Sequence, residues 1–253
     1  MTKTSELYAK EIYKNLKYRP TWLPGTPLAL GTVGHFVNDQ FIAVTDLTNL
    51  GIPFEETIDP DKDDIDFTSK KGVSITFKAA GETNDQFKAV AKAEAGALVE
   101  FSKEGAVVLQ LRDVSLNRIS DQAKLSRDML RAINDDDEAK KWQRDWVVVT
   151  EVAKAGSSTI FISESKKSRL ELKASGSAMP TSLVDASANL SIATLSDVST
   201  KVLAEAGLTP LFRGLRVKQR FFGLFDDVTV AFAREPSPEE IFEEIDPTKD
   251  VKR

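Results

Sequence analysis

His35 is the one histidine in this 253-residue chain, and so the only imidazole a Ser–His–Asp arrangement could recruit. It stands beside Phe36 in an extended-looking apolar run, where a packed strand residue is a simpler reading than a general base. Ser163-Glu-Ser-Lys166 has the S-x-x-K spacing by which a lysine activates a serine nucleophile. Its companion Lys-Thr-Gly is missing, and the segment alternates like a strand. Asp59, Asp61 and Asp63 occupy the first three ligand spacings of a calcium loop. Asp64 replaces the glycine at the sixth position and Lys70 the glutamate at the twelfth, so a solvated acidic turn is expected instead. Gly31-Thr-Val-Gly34 is too short to cradle a phosphate, and no G-x-x-x-x-G-K-[ST] occurs. With no cysteine, thiol chemistry and thiolate metal sites are excluded. The carboxylates are numerous, but nothing in the sequence pairs them across a cleft. Trp142 and Trp146 stand four apart and read as core. The expectation is a protein that is not an enzyme and needs neither metal nor cofactor.

Composition narrows the class further. Lys and Arg total 34 against 39 Asp and Glu, a net charge of −5, which argues against bulk nucleic-acid binding. With 41% hydrophobic and 29% charged residues, the chain reads as globular, with enough length for a sizeable core. No run of 18 apolar residues exists for a transmembrane helix. The longest charge-free window, Pro20–Asn38, is broken by three prolines and three glycines. No secretory h-region and no lipidation motif appears, so a cytoplasmic protein is expected.

The elements that would position any site follow from periodicity. Residues 5–18 predict an amphipathic helix with Ser5 as N-cap and Tyr8, Ile12 and Leu16 on one face. The first 19 residues carry five bases against two acids. Leu28–Phe36 and Phe41–Val44 around Asn38-Asp39 predict a hairpin. After the acidic turn Asp59–Asp66, strands are expected at Val73–Lys78, Phe87–Phe101 and Val107–Arg112, then a helix over 120–133. Further strands are expected at Trp146–Ala155, Thr159–Ser163, Arg169–Ala174, Leu183–Thr194, Leu215–Phe222 and Val228–Ala233. Val198–Ala206 reads as a short helix closed by Gly207. From Glu235 to Asp246 there are six acids and no base. The fold class is α+β: a central twisted antiparallel sheet with long amphipathic strands and peripheral helices.

Two stretches stand out. In residues 87–101 every odd position is apolar: Phe87, Ala89, Ala91, Ala93, Ala95, Ala97, Val99 and Phe101. Lys88, Lys92, Glu94 and Glu100 fall between them. A helix would scatter those charges around its cylinder, so a fifteen-residue strand is expected. In 183–194, Val184, Ala186, Ala188, Leu190 and Ile192 share one face against Asp185, Ser187, Asn189 and Ser191. A membrane-crossing β-strand needs about 9–11 residues, apolar toward lipid and polar toward water. Both stretches meet that length. The same alternation also fits a curved antiparallel sheet with one wet face, in a ligand-binding or protein-interaction module without membrane activity.

The order of basic helix, early hairpin, long alternating strands, mid-chain helix and second alternating pair resembles the pore-forming domain of gasdermins, in particular the compact bacterial and fungal type. The likeness is nearest over Lys71–Phe77, Val107–Arg112, Asp121–Ile133, Arg144–Val152 and Ala188–Ile192. Unlike many bacterial members, the chain has no lipidated N-terminal cysteine, and it has no room for the large inhibitory domain of animal members.

The resemblance implies a pore-forming domain over residues 1–222 and a C-terminal strand and acidic tail over 223–253 that is regulatory or merely solubilising. It implies a cytoplasmic protein that relocates to the inner face of the cell membrane in cell death or defence. There it would bind acidic phospholipids and self-associate into a large ring, with a related partner chain or an activating protease as further partners. Lys10, Lys14, Lys17 and Arg19 on the helix would meet lipid headgroups, as would Arg216, Lys218 and Arg220 on a strand. Two hairpins would insert. One is Phe87–Phe101 with Val73–Lys78 or Val107–Arg112; the other is Val147–Ser163 with Val184–Thr194. Their apolar positions are those given above.

Overall fold

The computed structural model describes residues 3–24, 26–133, 142–143, 145–176, 178–185, 189–218 and 242–249. The order is α1 (Lys3–Leu16), β1 (Arg19–Pro20), β2 (Thr32–Val37), β3 (Gln40–Asp46), β4 (Glu56–Ile58), β5 (Asp63–Thr68), β6 (Val73–Lys78), β7 (Gly96–Phe101) and β8 (Val107–Ile119). Then follow α2 (Gln122–Ile133), β9 (Val147–Lys154), β10 (Ser157–Ser163), β11 (Arg169–Ala174), β12 (Leu190–Ser196), β13 (Val198–Glu205), β14 (Leu211–Val217) and β15 (Phe242–Glu244). All pairings are antiparallel, so the α+β class holds.

Among the described residues the strands form two sheets. The larger is built on β1-β14-β9-β8-β10-β13, with β2 and β3 joining at β9, β4 and β5 at β8, and β15 at β14. The smaller has the order β12-β11-β7-β6. Each of its strands continues the chain of a strand in the larger sheet: β5 leads into β6, β7 into β8, β10 into β11, and β12 into β13. Within the larger sheet those partners run β5-β8-β10-β13, the same order as β6-β7-β11-β12. One four-stranded ribbon is therefore folded at a joint.

Core packing explains the fold at that joint. Alternation along β8 sends Val107, Leu109 and Leu111 to one face and Val108 to the other. The first set meets Tyr8 and Ile12 of α1, with Ile160 and Ile162 of β10. Val108 and Phe161 instead meet Ala97, Val99, Phe101, Leu170 and Leu172 of the smaller sheet. The larger sheet is thus covered by α1 on one side and by the folded-back ribbon on the other.

Several elements depart from the sequence reading. Val198–Glu205 is a strand, not a helix: Val198 and Val202 face β10 across a ladder, and that pairing overrides local helix preference. Gly207, at φ +73°, turns the chain after it. The acidic turn is half as long as expected, since Asp63–Thr68 pairs with β8. Helix α1 already runs at Lys3, so Ser5 is no N-cap; its buried hydroxyl donates to Asp39 at 3.3 Å. The early hairpin holds, with Asn38 and Asp39 both at positive φ (52° and 63°), the geometry of a two-residue type I′ turn. Helix α2 and the Trp pair also hold: Trp142 is buried and meets Trp146 edge-to-face at 5.6 Å.

Candidate functional site

The smaller sheet has one apolar and one polar face, row by row. Ile75, Val99, Leu170 and Leu195 lie side by side across its four strands, and next to them Phe77, Ala97, Leu172 and Ile192. The β6, β7 and β11 members of these rows face the core against β8 and β10, whereas Leu195 and Ile192 on the edge strand β12 are exposed. The alternate rows are Ser74, Glu100, Arg169, Ser196, then Thr76, Leu98, Glu171, Thr194, then Lys78, Gly96, Lys173, Ser191. A sheet so divided suits a boundary between an apolar and an aqueous phase.

Residues 87–101 are not one strand. Only Gly96–Phe101 is extended; residues 79–95 form a strap that curls back across the polar face. Phe87 and Val90 bury against Leu98, with Ala193 alongside. These tertiary contacts overrule the alternation and leave Ala89, Ala91 and Ala93 in solvent, while Ala95 is buried beside Ala174. Gly96 is required here: a Cβ would lie 2.4 Å from the Leu172 carbonyl oxygen.

Two charged side chains are enclosed beneath the strap. Lys78, 1% exposed, donates from Nζ to the carbonyl oxygens of Ala91 at 2.7 Å, Glu94 at 3.0 Å and Val90 at 3.5 Å. Glu171, 2% exposed, accepts through Oε2 from the backbone N–H of Ala89 at 2.7 Å and of Lys88 at 3.0 Å. Arg169 pairs with the other oxygen at 3.0 Å and with Glu100 at 3.1 Å, and also donates to the Gln86 carbonyl. Burial pushes the Glu171 carboxyl up, but the Ala89 amide, Arg169 and the Lys88 amide together hold it below the ordinary carboxylate range. Sequence reasoning missed both groups. Each stands on the polar phase of an alternating strand, and only the strap's return makes it buried.

The joint is held by serines. Ser163 Oγ donates to the Lys103 carbonyl at 2.7 Å and accepts from the Ala106 amide, so the serine of the S-x-x-K match has a structural use. Ser69 Oγ accepts from the Val107 amide at 3.0 Å and donates to Glu11 of α1 at 2.9 Å. Lys71, Gly105 and Asp197 turn the chain there at positive φ. His35 lies in β2 opposite Ile42, half-buried as a strand residue.

The other predicted membrane positions divide. Strand β12 begins at Leu190 and pairs with β11, so Val147–Ser163 is not its hairpin partner: β9 and β10 belong to the larger sheet. Val184 lies in a turn that buries Leu183, and Ala186 and Ala188 fall outside the described residues. Of the two partners foreseen for the first hairpin, β7 takes β6 and not β8.

The basic positions divide as well. Lys10 and Lys14 lie on α1, whereas Lys17 follows the helix end at positive φ and sits over the Tyr13 ring; Lys10 pairs with Glu6 at 2.7 Å. Arg19 does not point to solvent. It is 2% exposed, stacked 3.7 Å from the Phe36 ring centroid and 3.6 Å from Asp39, because β1 draws it into the sheet. Strand β14 ends at Val217. Arg216 pairs with Glu243 of β15 at 2.8 Å, Lys218 follows the strand, and Arg220 lies outside the described residues, as does Val228–Ala233. The end of the acidic tail is built into the fold rather than loose: Phe242 and Ile245 are buried, and Phe242–Glu244 pairs with Leu215–Val217.

No family model matches the chain, and no curated protein matches it in sequence. No helix among the described residues is long and apolar enough to cross a membrane, which leaves strands untouched by that test.

Proposed function

We propose that this protein is a gasdermin-like, non-enzymatic pore former of cell death or defence. It assembles on acidic phospholipid at the inner face of the cell membrane and inserts β6–β7 and β11–β12 as two hairpins per copy. One observation carries this reading: the alternation of residues 87–95 is unused in the folded chain, yet it is in phase with the apolar face of β7. Drawn out as a continuation of β7, the strap would place Phe87, Ala89, Ala91, Ala93 and Ala95 on the same side as Ala97 and Val99. Val184, Ala186, Ala188 and Leu190 likewise continue the phase of Ile192, which aligns with Leu172. The folded strands of the smaller sheet span six or seven residues, short of the bilayer, and this added length supplies what about 9–11 residues would require.

Two further features agree. Among the described residues strands β6 and β12 each pair with one neighbour, so edge pairing from copy to copy would close a ring with every backbone group satisfied in lipid. Lys10 and Lys14 of α1 and Lys17 just past its end supply basic charge, each contributing about 1 kcal/mol near an anionic surface. Dye release from vesicles with and without acidic lipid tests the proposal, using the full chain. Release confined to acidic vesicles is expected. Vesicles that stay sealed at every lipid composition would leave a soluble binding module as the better reading.

A further inference from the structure

We infer that Lys78 and Glu171 form a two-point latch that holds the 79–95 strap closed and sets how readily it is released. The inference rests on the pore-forming reading for its purpose, but its geometry stands without it.

Lys78 binds carbonyl oxygens of residues 90, 91 and 94, and Glu171 binds amides of residues 88 and 89. Between them they fix five residues of the stretch 88–94 by backbone atoms alone. Backbone carbonyls and amides are the groups a strand needs for its ladder, so the strap cannot extend while both charges hold them. The strap's own fixings are light by comparison: Phe87 and Val90 on Leu98, and single backbone hydrogen bonds such as Gly81 N–H to the Lys92 carbonyl at 2.9 Å. The charges come from different hairpins, Lys78 from β6 and Glu171 from β11, so the strap of the first hairpin is locked by the second.

The latch also has a built-in destination. Both side chains lie on the polar phase of their strands, so after extension each would face water and not lipid. Enclosing a charge is tolerable only while its partners are present; once the strap lifts, hydration replaces them. Closed and open states are therefore each satisfied, and the intermediate with one partner lost is not. Such a device switches instead of drifting. Arg169 takes part by holding the second oxygen of Glu171 and the Gln86 carbonyl, with Glu100 behind it.

Hydrogen exchange of the full chain in solution, without membranes, tests the latch through Lys78→Met, Glu171→Gln and the double variant. Lys78→Met keeps the length of the side chain and removes three charge-assisted hydrogen bonds. Exchange at residues 80–95 should accelerate roughly ten- to a hundred-fold, while amides of β8 and β10 keep their protection. Glu171→Gln, which retains one acceptor oxygen, should give a smaller acceleration centred on residues 88 and 89. Should Lys78→Met fail to fold, Lys78→Arg keeps the charge and should restore protection. Unchanged exchange in the strap of both single variants would overturn the latch, as would acceleration spread evenly over both sheets.

A vesicle arm with acidic lipid separates the two ideas. Faster dye release by the variants supports both. Accelerated exchange with vesicles left intact keeps the latch and removes the pore. Release at the wild-type rate with unchanged exchange keeps the pore and removes the latch.

Discussion

Replacing Ala93 by lysine should leave the soluble protein intact and disable its membrane action. In the folded chain Ala93 sits in a turn of the strap with its side chain in solvent. A charge there meets no core, and the stability change should stay within about 0.5 kcal/mol. In an extended strap Ala93 falls on the phase of Ala97 and Val99, the side that would face lipid. A lysine on the lipid face of a membrane barrel costs about 2–4 kcal/mol near the bilayer midplane. At about 1.36 kcal/mol per decade that is roughly a 30- to 900-fold loss in the insertion equilibrium for each copy, repeated around the ring.

Dye release from acidic vesicles is the assay, at matched concentrations of protein shown to be folded by chemical denaturation. Lys92→Glu is the matched control: it also alters a charge in the exposed strap, one residue away and on the opposite phase, and should release dye as the wild type does. Ala91→Lys should behave as Ala93→Lys. Ala95 is unsuitable, because it is buried beside Ala174 and a charge there would damage the soluble fold as well. Equal release by Ala93→Lys and the wild type would refute the phase argument. Equal impairment by Ala93→Lys and Lys92→Glu would show that charge in the strap matters and its side does not.

The Glu171 carboxyl lies below its ordinary value of 4.5, so its contribution is full above that value and is lost as pH falls through the lower folded one. Protection of the Lys88 and Ala89 amides, corrected for intrinsic exchange, should be flat from about pH 5 to 7 and fall only below that range; Glu171→Gln should remove this acid step. Phe161, fully buried between the two sheets, should cost about 3–5 kcal/mol when cut to alanine, read as a lower denaturation midpoint with an unchanged slope.

Several strands of both sheets were legible because their segments decide locally. Val73–Lys78 coincides with its predicted bounds, and Val147–Lys154 and Ser157–Ser163 lie within two residues of theirs, since their alternation is satisfied where they stand. Asn38-Asp39 announced its turn by residue type. The tail strand and β13 were not legible, because short segments of modest propensity become strands only when a distant partner offers a ladder: Leu215–Val217 for one, Ser158–Ser163 for the other. Arg19 looked like a surface charge for the same reason; its burial depends on Phe36 and Asp39, far along the chain.

The strap is a different kind of disagreement. Its fifteen-residue alternation is real, and the folded chain disregards it. Alternation records which side chains could share a face, without saying in which state they do. A segment that is never extended has no physical need to keep apolar residues at every odd position from Phe87 to Ala95, three of them alanines in solvent. Helix or loop would be served as well by any polar mixture. The pattern becomes intelligible if the segment has a second conformation whose burial it satisfies, with Lys78 and Glu171 holding it in the first. On this argument the mismatch between sequence and fold at residues 87–95 is the most informative feature of the molecule, and the Ala93→Lys comparison addresses it directly.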